Sequence, residues 1–344
     1  MKVPMNDTLR QLLRQASRLT QSGRLNEATQ TLQRALGGLP AAPVFTPTAA
    51  FAAPPARTDA GAFTSGTHTQ SAQARGFKLY LPPDAAGRPL PLVVMLHGCT
   101  QSPDDFAAGT GMNARAAEQG FCVLYPAQSQ EANPSRCWNW FQPGDQRRGS
   151  GEPAVIAGMT QMVLKQHGLD PRRVYVAGLS AGGAMADIVA TAYPELFAAV
   201  GVHSGLPRGA AANLVEALAA MKHGADAVRR SGERSAVPTI VFHGDQDRTV
   251  HARNGERLIA ALEDLVGSTA PRVEQGVSAM GRRYTRSVHL DGAGRSAAEH
   301  WVLHGAGHAW SGGRPEGSYT DPKGPDATRE MLRFFFEHPH AGPR

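Results

Sequence analysis

The sequence predicts an α/β fold, with a mostly parallel central sheet and helices on both of its faces. Beyond about residue 75, short apolar runs alternate with segments of helical periodicity. Several of these runs are nearly continuous in Val, Leu, Ile and Phe, as is typical of strands that are covered on both faces. With 41% hydrophobic residues among 344, the chain is expected to build a sizeable buried core.

The strands and helices of this region can be placed from their periodicity and from the Gly and Pro residues between them. The predicted strands are Phe77–Leu81, Leu92–Leu96, Phe121–Tyr125, Val174–Ala177, Ala198–Val202, Thr239–Phe242 and Trp301–Leu303. The predicted helices are Asp104–Gln119, Glu152–His167, Gly182–Tyr193, Ala252–Val266 and Ala327–Glu337.

The N-terminal part of the chain has a different pattern. From about Asn6 to Leu36, apolar residues recur at helical spacing with an interruption at Ser22-Gly23, which predicts a short helical hairpin. The stretch that follows is rich in Pro, Ala, Thr, Ser and Gly and has little periodicity, as in a flexible linker. We therefore expect a helical segment at 1–40, a linker at 41–74 and an α/β domain at 75–344.

Charge and cysteine content narrow the class of protein. The net charge of +6 comes from 35 basic and 29 acidic residues without long runs of one sign, so no nucleic-acid partner is expected. The three cysteines, Cys99, Cys122 and Cys137, allow at most one disulfide. No apolar run reaches the roughly 18 residues of a membrane span, and the opening residues lack an apolar signal core, so a cytoplasmic protein is expected.

One serine lies where a strand turns sharply into a helix. The strand Val174–Ala177 leads into Gly178-Leu179-Ser180-Ala181-Gly182, and a helical segment follows. Small flanking residues permit the strained turn that presents a nucleophilic serine above the sheet of an α/β-hydrolase. The pentapeptide alone could be a glycine-rich turn with an incidental serine, but its position between strand and helix predicts that Ser180 is the nucleophile.

In an α/β-hydrolase the acid and the base follow the serine in that order, each on a loop after a later strand. The loop after Thr239–Phe242 contains Asp245 and Asp247. We favour Asp247, which lies further past the turn, whereas Asp245 is expected to brace the turn itself. The loop after Trp301–Leu303 contains two histidines. His308, between Gly307 and Ala309, is the predicted base rather than His304, which is close to the strand end.

Two backbone N–H groups are predicted to stabilise the oxyanion of an acyl-transfer reaction. The loop after Leu92–Leu96 contributes the amide of Cys99, and the residue after the nucleophile contributes the amide of Ala181. His97 could be a second base, but at a buried strand end it is expected to be a hydrogen-bonded structural residue.

Aromatic residues cluster near these loops. Trp138 and Trp140 lie close together in the chain, and Trp310 follows two residues after His308. These rings could line a substrate groove, or they could be ordinary core residues.

Cys99 and Cys137 could approach each other as a disulfide or as free thiols.

Taken together, these motifs resemble the polyhydroxybutyrate depolymerase family of esterases over about residues 75–340. The motifs that carry the resemblance are Leu96-His97-Gly98-Cys99-Thr100-Gln101-Ser102, Cys137-Trp138-Asn139-Trp140-Phe141, Arg147-Arg148-Gly149, Gly178-Leu179-Ser180-Ala181-Gly182-Gly183 and Gly307-His308-Ala309-Trp310-Ser311-Gly312-Gly313. The resemblance implies hydrolysis of poly(3-hydroxybutyrate), its oligomers or related short hydroxyacyl esters by Ser180, Asp247 and His308, with no metal or organic cofactor. The family also resembles feruloyl and acetylxylan esterases, which are the alternative.

A hypothesis of another class is a polymer-granule-binding protein on a hydrolase scaffold. Its support is the basic N-terminal helical segment, which has six basic and two acidic residues in its first forty positions together with a leucine-rich face. Granule contact through these helices is therefore a possible partner interaction beside the ester substrate. Many family members are extracellular, which is the alternative to a cytoplasmic location.

Overall fold

The computed structural model describes residues 61–341 except 71–72, 84, 226–236 and 267–269. All of these residues belong to one compact unit, Arg57–Arg344. Its strands are β1 (Ala62–Gln70), β2 (Gln73–Leu81), β3 (Leu92–Leu96), β4 (Cys122–Pro126), β5 (Val174–Leu179), β6 (Ala199–His203), β7 (Thr239–Gly244), β8 (Arg272–Val277), β9 (Arg283–Leu290), β10 (Ser296–Leu303), β11 (Trp310–Ser311) and β12 (Thr320–Asp321). Its α-helices are α1 (Pro103–Thr110), α2 (Met112–Gln119), α3 (Gly151–His167), α4 (Ala181–Ala192), α5 (Leu214–His223), α6 (Arg253–Val266) and α7 (Ala327–Glu337), with a 3-10 turn at Pro143–Gln146.

The described strands form one large sheet in the order β1-β2-β4-β3-β5-β6-β7-β10-β9-β8, while β11 and β12 pair separately. The central strands from β4 to β10 in this order are parallel, and antiparallel strands flank them at both edges. This architecture confirms the predicted α/β class. Each predicted strand is found, and the predicted helix at Ala327–Glu337 has the bounds of α7.

Helices cover both faces of the sheet. Neighbouring residues of a strand point to opposite faces, so each buried strand contributes to two cores. In β3, Leu92, Val94 and Leu96 pack into one core with residues of α3, α4 and α6. Val93 and Met95 pack into the other core with residues of α1, α2 and α7. Burial on both sides explains why these strands are continuous in apolar residues.

Several expectations from the sequence are wrong. The predicted linker at 41–74 includes β1 and the start of β2, which pair with each other at the sheet edge. Strand β1 is polar and half exposed, so it lacks an apolar signal. The predicted helix Asp104–Gln119 is broken at Gly111, whose φ of 63° is left-handed. The helical hairpin predicted at 1–40 lies outside the described residues.

None of the described helices is long and apolar enough to cross a membrane. The sheet topology instead brings several loops together. Because parallel strands end at the same edge, the loops that follow β3, β5, β6, β7 and β10 meet at their carboxyl ends, where the predicted site residues lie.

Candidate active site

Ser180 lies at the corner between β5 and α4. Its φ of 58° and ψ of −122° are sparsely populated for a residue with a side chain, and such a conformation costs about 1–3 kcal/mol. Two backbone hydrogen bonds hold it: Ser180 N–H donates to His203 O, and Ala184 N–H donates to Ser180 O, each 2.9 Å long. The predicted strained turn is therefore present at this serine.

Glycine at position 182 is required by the backbone that passes it. A Cβ atom there would lie 2.0 Å from the carbonyl oxygen of Leu96 and 2.5 Å from that of His97. The first turn of α4 thus packs directly on the loop that leaves β3. This contact brings the serine corner and the predicted oxyanion loop together.

Asp247 and His308 form a hydrogen-bonded pair between the loops after β7 and β10. His308 Nδ1 donates to Asp247 Oδ2 over 2.7 Å. The other oxygen, Oδ1, accepts the backbone N–H groups of Thr249 and Val250, each at 2.8 Å. His243 Nε2 lies 3.5 Å from Oδ2. The carboxylate is therefore fixed in the loop, and its position fixes the imidazole of His308.

The surroundings of Asp247 favour its charged form. Burial alone would raise the pKa of this carboxyl, but the hydrogen bonds that it accepts from the His308 ring and the Val250 N–H, with His243 close by, bring the pKa well below its usual range. A carboxylate that stays ionised can stabilise a positive charge on the imidazole to which it is bonded.

The residues that the sequence offered as alternatives also form a pair. Asp245 Oδ2 accepts a hydrogen bond from His304 Nδ1 over 2.9 Å. The four side chains thus form two separate Asp–His pairs, Asp245–His304 and Asp247–His308, between the same two loops.

In the loop after β3, the backbone N–H of Cys99 differs from those of its two neighbours. Gly98 N–H donates to Gln101 Oε1, and Thr100 N–H donates to Ser135 O, whereas the Cys99 N–H has no acceptor among the described residues. A Cβ on Gly98 would lie 3.6 Å from Ser180 Cβ, so the loop runs beside the serine.

The second predicted donor is the first residue of α4. Ala181 N–H has no acceptor among the described residues, as expected for the first N–H groups of a helix. The amides of Cys99 and Ala181 are therefore both available to a negatively charged oxygen.

A disulfide holds the loop that carries Cys99. Cys99 is bonded to Cys137, which resolves the two alternatives left by the sequence. His97 is buried and hydrogen-bonded, as predicted: Nδ1 donates to Gly98 O over 2.8 Å, and Nε2 accepts Gln128 N–H over 3.2 Å. Burial lowers the pKa of His97 to about 4, which keeps the ring neutral.

The three tryptophans proposed as substrate-lining residues are buried, with exposed fractions of 2% for Trp138, 5% for Trp140 and 1% for Trp310. The indole N–H of Trp138 donates to His97 O, and that of Trp310 donates to Thr328 Oγ1, each over 3.0 Å. These contacts favour the core-packing alternative over a substrate groove. Trp138 thus holds the backbone of His97, where the chain leaves β3 for the predicted oxyanion loop.

His203, at the end of β6, was not singled out from the sequence. Its backbone oxygen accepts the N–H of Ser180, and its ring nitrogen Nε2 accepts the N–H of Ser311 over 3.0 Å. Because Nε2 accepts, the proton is on Nδ1, which donates to Ser204 Oγ over 3.1 Å. One residue therefore connects the corner at Ser180 with the segment that follows His308.

The His203 ring is completely enclosed. It stacks between Phe242 and Trp310, with centroid distances of 5.8 and 5.2 Å. Burial lowers its pKa to about 3. The signal available in the sequence was a histidine at the end of an apolar strand, but its role depends on partners from distant segments.

The segment between β11 and β12, residues 312–319, forms a short strap that contacts the predicted oxyanion loop. Gln101 Nε2 donates to Ser318 O over 3.2 Å, and Tyr319 OH lies 3.3 Å from Thr100 Oγ1. Both Tyr319 and Thr100 have left-handed φ angles, 53° and 66°. Tyr319 is 47% exposed, and its carbonyl oxygen accepts the N–H of Trp310. The strap thus ties the oxyanion loop to the segment that follows His308.

Glu152 is a buried carboxylate that holds the segment around Cys137, the disulfide partner of Cys99. Its carboxylate accepts hydrogen bonds from Gln128 Nε2 and from the backbone and side chain of Asn139, and Gln128 also bonds to Cys137 O. Burial and the nearby Asp145 raise the pKa of Glu152 to about 7.

No cluster of three or more His, Cys, Asp or Glu side chains suited to a metal is found among the described residues.

Comparison with known proteins gives the class and the family. The family model described as "Esterase PHB depolymerase" matches residues 75–284. Poly(3-hydroxyalkanoate) depolymerase C of Paucimonas lemoignei is 34% identical over 230 residues, which are 63% of this chain and 54% of the relative. Feruloyl esterase B of Thermothelomyces thermophilus is 29% identical over 232 residues, 62% of this chain and 77% of the relative.

A solved structure, the acetyl xylan esterase from Aspergillus awamori, covers 80% of this chain and 99% of its own with a TM-score of 0.61 and 20% identity, a likeness of fold. The class that the fold and these similarities define is that of the α/β-hydrolase-fold esterases. More narrowly, the chain belongs to the esterase PHB depolymerase family. It spans about half the length of the Paucimonas depolymerase that it matches.

Proposed function

We propose that Ser180, His308 and Asp247 form a catalytic triad that hydrolyses carboxylic esters through an acyl-enzyme. The observation that carries the proposal is the 2.7 Å hydrogen bond from His308 Nδ1 to the buried carboxylate of Asp247. Ser180, in its strained strand-to-helix turn, follows β5 at the same carboxyl edge of the sheet. With its proton on Nδ1, His308 leaves Nε2 free to accept the serine proton.

In the first half-reaction, Ser180 Oγ attacks the ester carbonyl carbon while His308 Nε2 takes the hydroxyl proton. The resulting oxyanion accepts the N–H groups of Cys99 and Ala181. Collapse of the tetrahedral intermediate breaks the bond to the alkoxy oxygen, which takes the proton from Nε2 and leaves as an alcohol. Water then attacks the acyl-enzyme with His308 as the base, which releases the acid and restores Ser180.

We propose poly(3-hydroxybutyrate), its oligomers or related short hydroxyacyl esters as substrates. The similarity to a poly(3-hydroxyalkanoate) depolymerase supports this substrate class. A feruloyl or acetylxylan type of esterase is the second candidate, favoured by relatives with those names. Granule contact through residues 1–40 stays a prediction of the sequence, and deletion of those residues with a polymer-association assay tests it.

Cellular location is proposed in two alternatives, cytoplasmic or extracellular. Because disulfides persist in oxidising compartments, the Cys99–Cys137 bond supports the extracellular alternative. Cell fractionation combined with thiol labelling distinguishes the two.

The test of the proposed function compares the purified protein with Ser180→Ala on p-nitrophenyl butyrate, 3-hydroxybutyrate oligomers, amorphous polymer and a feruloyl ester. We expect the substitution to abolish hydrolysis of every ester that the wild type cleaves. Full hydrolysis by Ser180→Ala would refute the triad. The order of kcat/KM among the substrates decides between the two candidate substrate classes.

A further inference from the structure

A second Asp–His pair lies outside the proposed triad. Asp245 immediately follows β7, and His304 immediately follows β10. Asp245 Oδ2 accepts a hydrogen bond from His304 Nδ1 over 2.9 Å, and Asp245 Oδ1 accepts one from the N–H of Gly305 over 2.7 Å. About a third of each side chain is exposed, 35% in both cases. One carboxylate therefore holds both a side chain and the backbone of the neighbouring loop.

The far side of the His304 ring is also held. Its Nε2 lies 2.9 Å from Thr285 Oγ1 on β9, and its backbone oxygen accepts a hydrogen bond from Arg282 Nη1 over 3.2 Å. The imidazole is thus bridged between a carboxylate that follows β7 and a hydroxyl on β9. Three adjacent segments of the sheet are joined through one ring.

The backbones of the two loops run side by side from this pair toward the triad. Asp245 N–H donates to Leu303 O over 3.1 Å, and Gln246 N–H donates to Ala306 O over 3.0 Å. At Gly244 the approach is so close that a Cβ would lie 2.3 Å from Ala306 O. Asp247 follows directly after this contact on one loop, and His308 follows it on the other.

We propose that Asp245 and His304 are positioning residues, which hold the two loops in the register where Asp247 meets His308. The proposal rests on the proposed function. The loop that delivers His308 contains Gly305 and Gly307, whose backbones are free to adopt many conformations unless other contacts restrict them. Since a misplacement of about 1 Å in a reacting group can cost roughly 100-fold in rate, loss of this restriction is expected to lower turnover.

The competing explanation is an ordinary half-exposed ion pair. Such a pair contributes little to stability and nothing to turnover. The two explanations differ in whether kcat changes in a folded protein, so the experiment measures kcat and thermal stability in the same variants.

The first variants are Asp245→Asn and His304→Gln, assayed on p-nitrophenyl butyrate. Asp291→Asn is the matched control, because Asp291 also accepts backbone N–H groups and pairs with Arg295, at the opposite end of β10. We expect kcat to fall about 10- to 100-fold in the test variants with KM nearly unchanged. Asp291→Asn is expected to keep wild-type kcat. A wild-type kcat in folded Asp245→Asn would overturn the proposal.

A conservative pair of variants keeps the test decisive if the first variants fold poorly. Thr285→Ser retains the hydroxyl that meets His304, whereas Thr285→Val retains the shape and removes it. We expect Thr285→Val to lose several-fold in kcat and Thr285→Ser to match the wild type. Equal kcat in the two variants would count against a role of His304 in turnover.

A spectroscopic measurement separates positioning from general stability. The short hydrogen bond between His308 and Asp247 is expected to give a far-downfield proton resonance, assigned by its loss in His308→Gln. In Asp245→Asn this resonance should broaden or move upfield, although both of its own residues are intact. If Ser180→Ala is inactive and Asp245→Asn leaves both the resonance and kcat unchanged, the positioning role fails while the triad stands. If Ser180→Ala is fully active, the proposed function itself fails.

Discussion

Replacement of Asp247 by Asn changes one oxygen atom and tests the hydrogen bonding of the proposed triad. The side-chain oxygen of Asn can still accept the N–H groups of Thr249 and Val250, which Oδ1 accepts at 2.8 Å in the wild type. Its NH₂ group then faces His308 Nδ1, where Oδ2 of the wild type accepts a hydrogen bond of 2.7 Å. Two donors cannot share that contact, so His308 must move its proton to Nε2 or turn away.

With the proton on Nε2, His308 can no longer accept the proton of Ser180. A wrong tautomer of this kind costs about 10⁴ in kcat, which corresponds to about 5 kcal/mol of transition-state stabilisation. The other hydrogen bond available to an amide, toward His243 Nε2, gives no relief, because that nitrogen donates to Val250 O over 2.8 Å.

The assay is kcat and kcat/KM on p-nitrophenyl butyrate, with thermal unfolding as the check on folding and Asp291→Asn as the control for an Asp that braces a turn elsewhere. We expect nearly unchanged KM, because the substitution affects proton transfer rather than substrate contacts. A loss of less than about tenfold in a folded Asp247→Asn protein would refute the assignment of this carboxylate to the base.

Three further predictions concern the elements that surround the site. Gly182→Ala should destabilise the protein by about 1–3 kcal/mol and lower kcat, since its Cβ would meet the carbonyl oxygens of Leu96 and His97. Gly292→Ala, where a Cβ meets no atom within 4 Å, is the control. Equal unfolding midpoints of the two variants would contradict the packing argument. Cys137→Ser should lower the free energy of unfolding by about 2–4 kcal/mol, because it removes the disulfide that joins two residues 38 positions apart. Denaturant unfolding measures this change, and wild-type stability would exclude a stabilising role of the disulfide. The free energy of unfolding should fall by about 2–4 kcal/mol from pH 7 to pH 5, because the pKa of each of three buried histidines lies below its unfolded value near 6.5, so the unfolded chain binds more protons in this range. These histidines are His97, His203 and His300, with pKa values lowered by burial to about 4, 3 and 4. Glu152, whose pKa is raised to about 7, opposes this trend, because the folded state binds its proton before the unfolded state does. Glu152→Gln should therefore make the fall in the free energy of unfolding steeper. A free energy of unfolding that is flat or rises toward pH 5 in that variant would contradict the role given to the buried histidines.

The sequence predicted the central strands well, because strands covered on both faces must be apolar along their whole length. It predicted least well where elements are half exposed. Strand β1 is polar and was assigned to a linker, and α5 was missed because Leu214, Val215 and Leu218 on its surface do not follow a single buried face. Edge strands and surface helices depend on their neighbours more than on their own pattern.

For the site, the sequence alone determined the serine corner. The small residues around Ser180 and the strand and helix on either side of it are local features, and a strained turn requires them wherever it occurs. The sequence also offered two candidates for each partner and favoured Asp247 over Asp245 and His308 over His304, from their positions in the loops.

Only the tertiary structure decided which acid meets which histidine. Asp247 pairs with His308 and Asp245 pairs with His304 because β7 and β10 are neighbours in one register, a relation between segments about sixty residues apart. The burial of the tryptophans and the connecting role of His203 have the same origin. Hydrogen bonds and packing depend on atoms brought together across the sheet, and a pattern along the chain does not specify those distances.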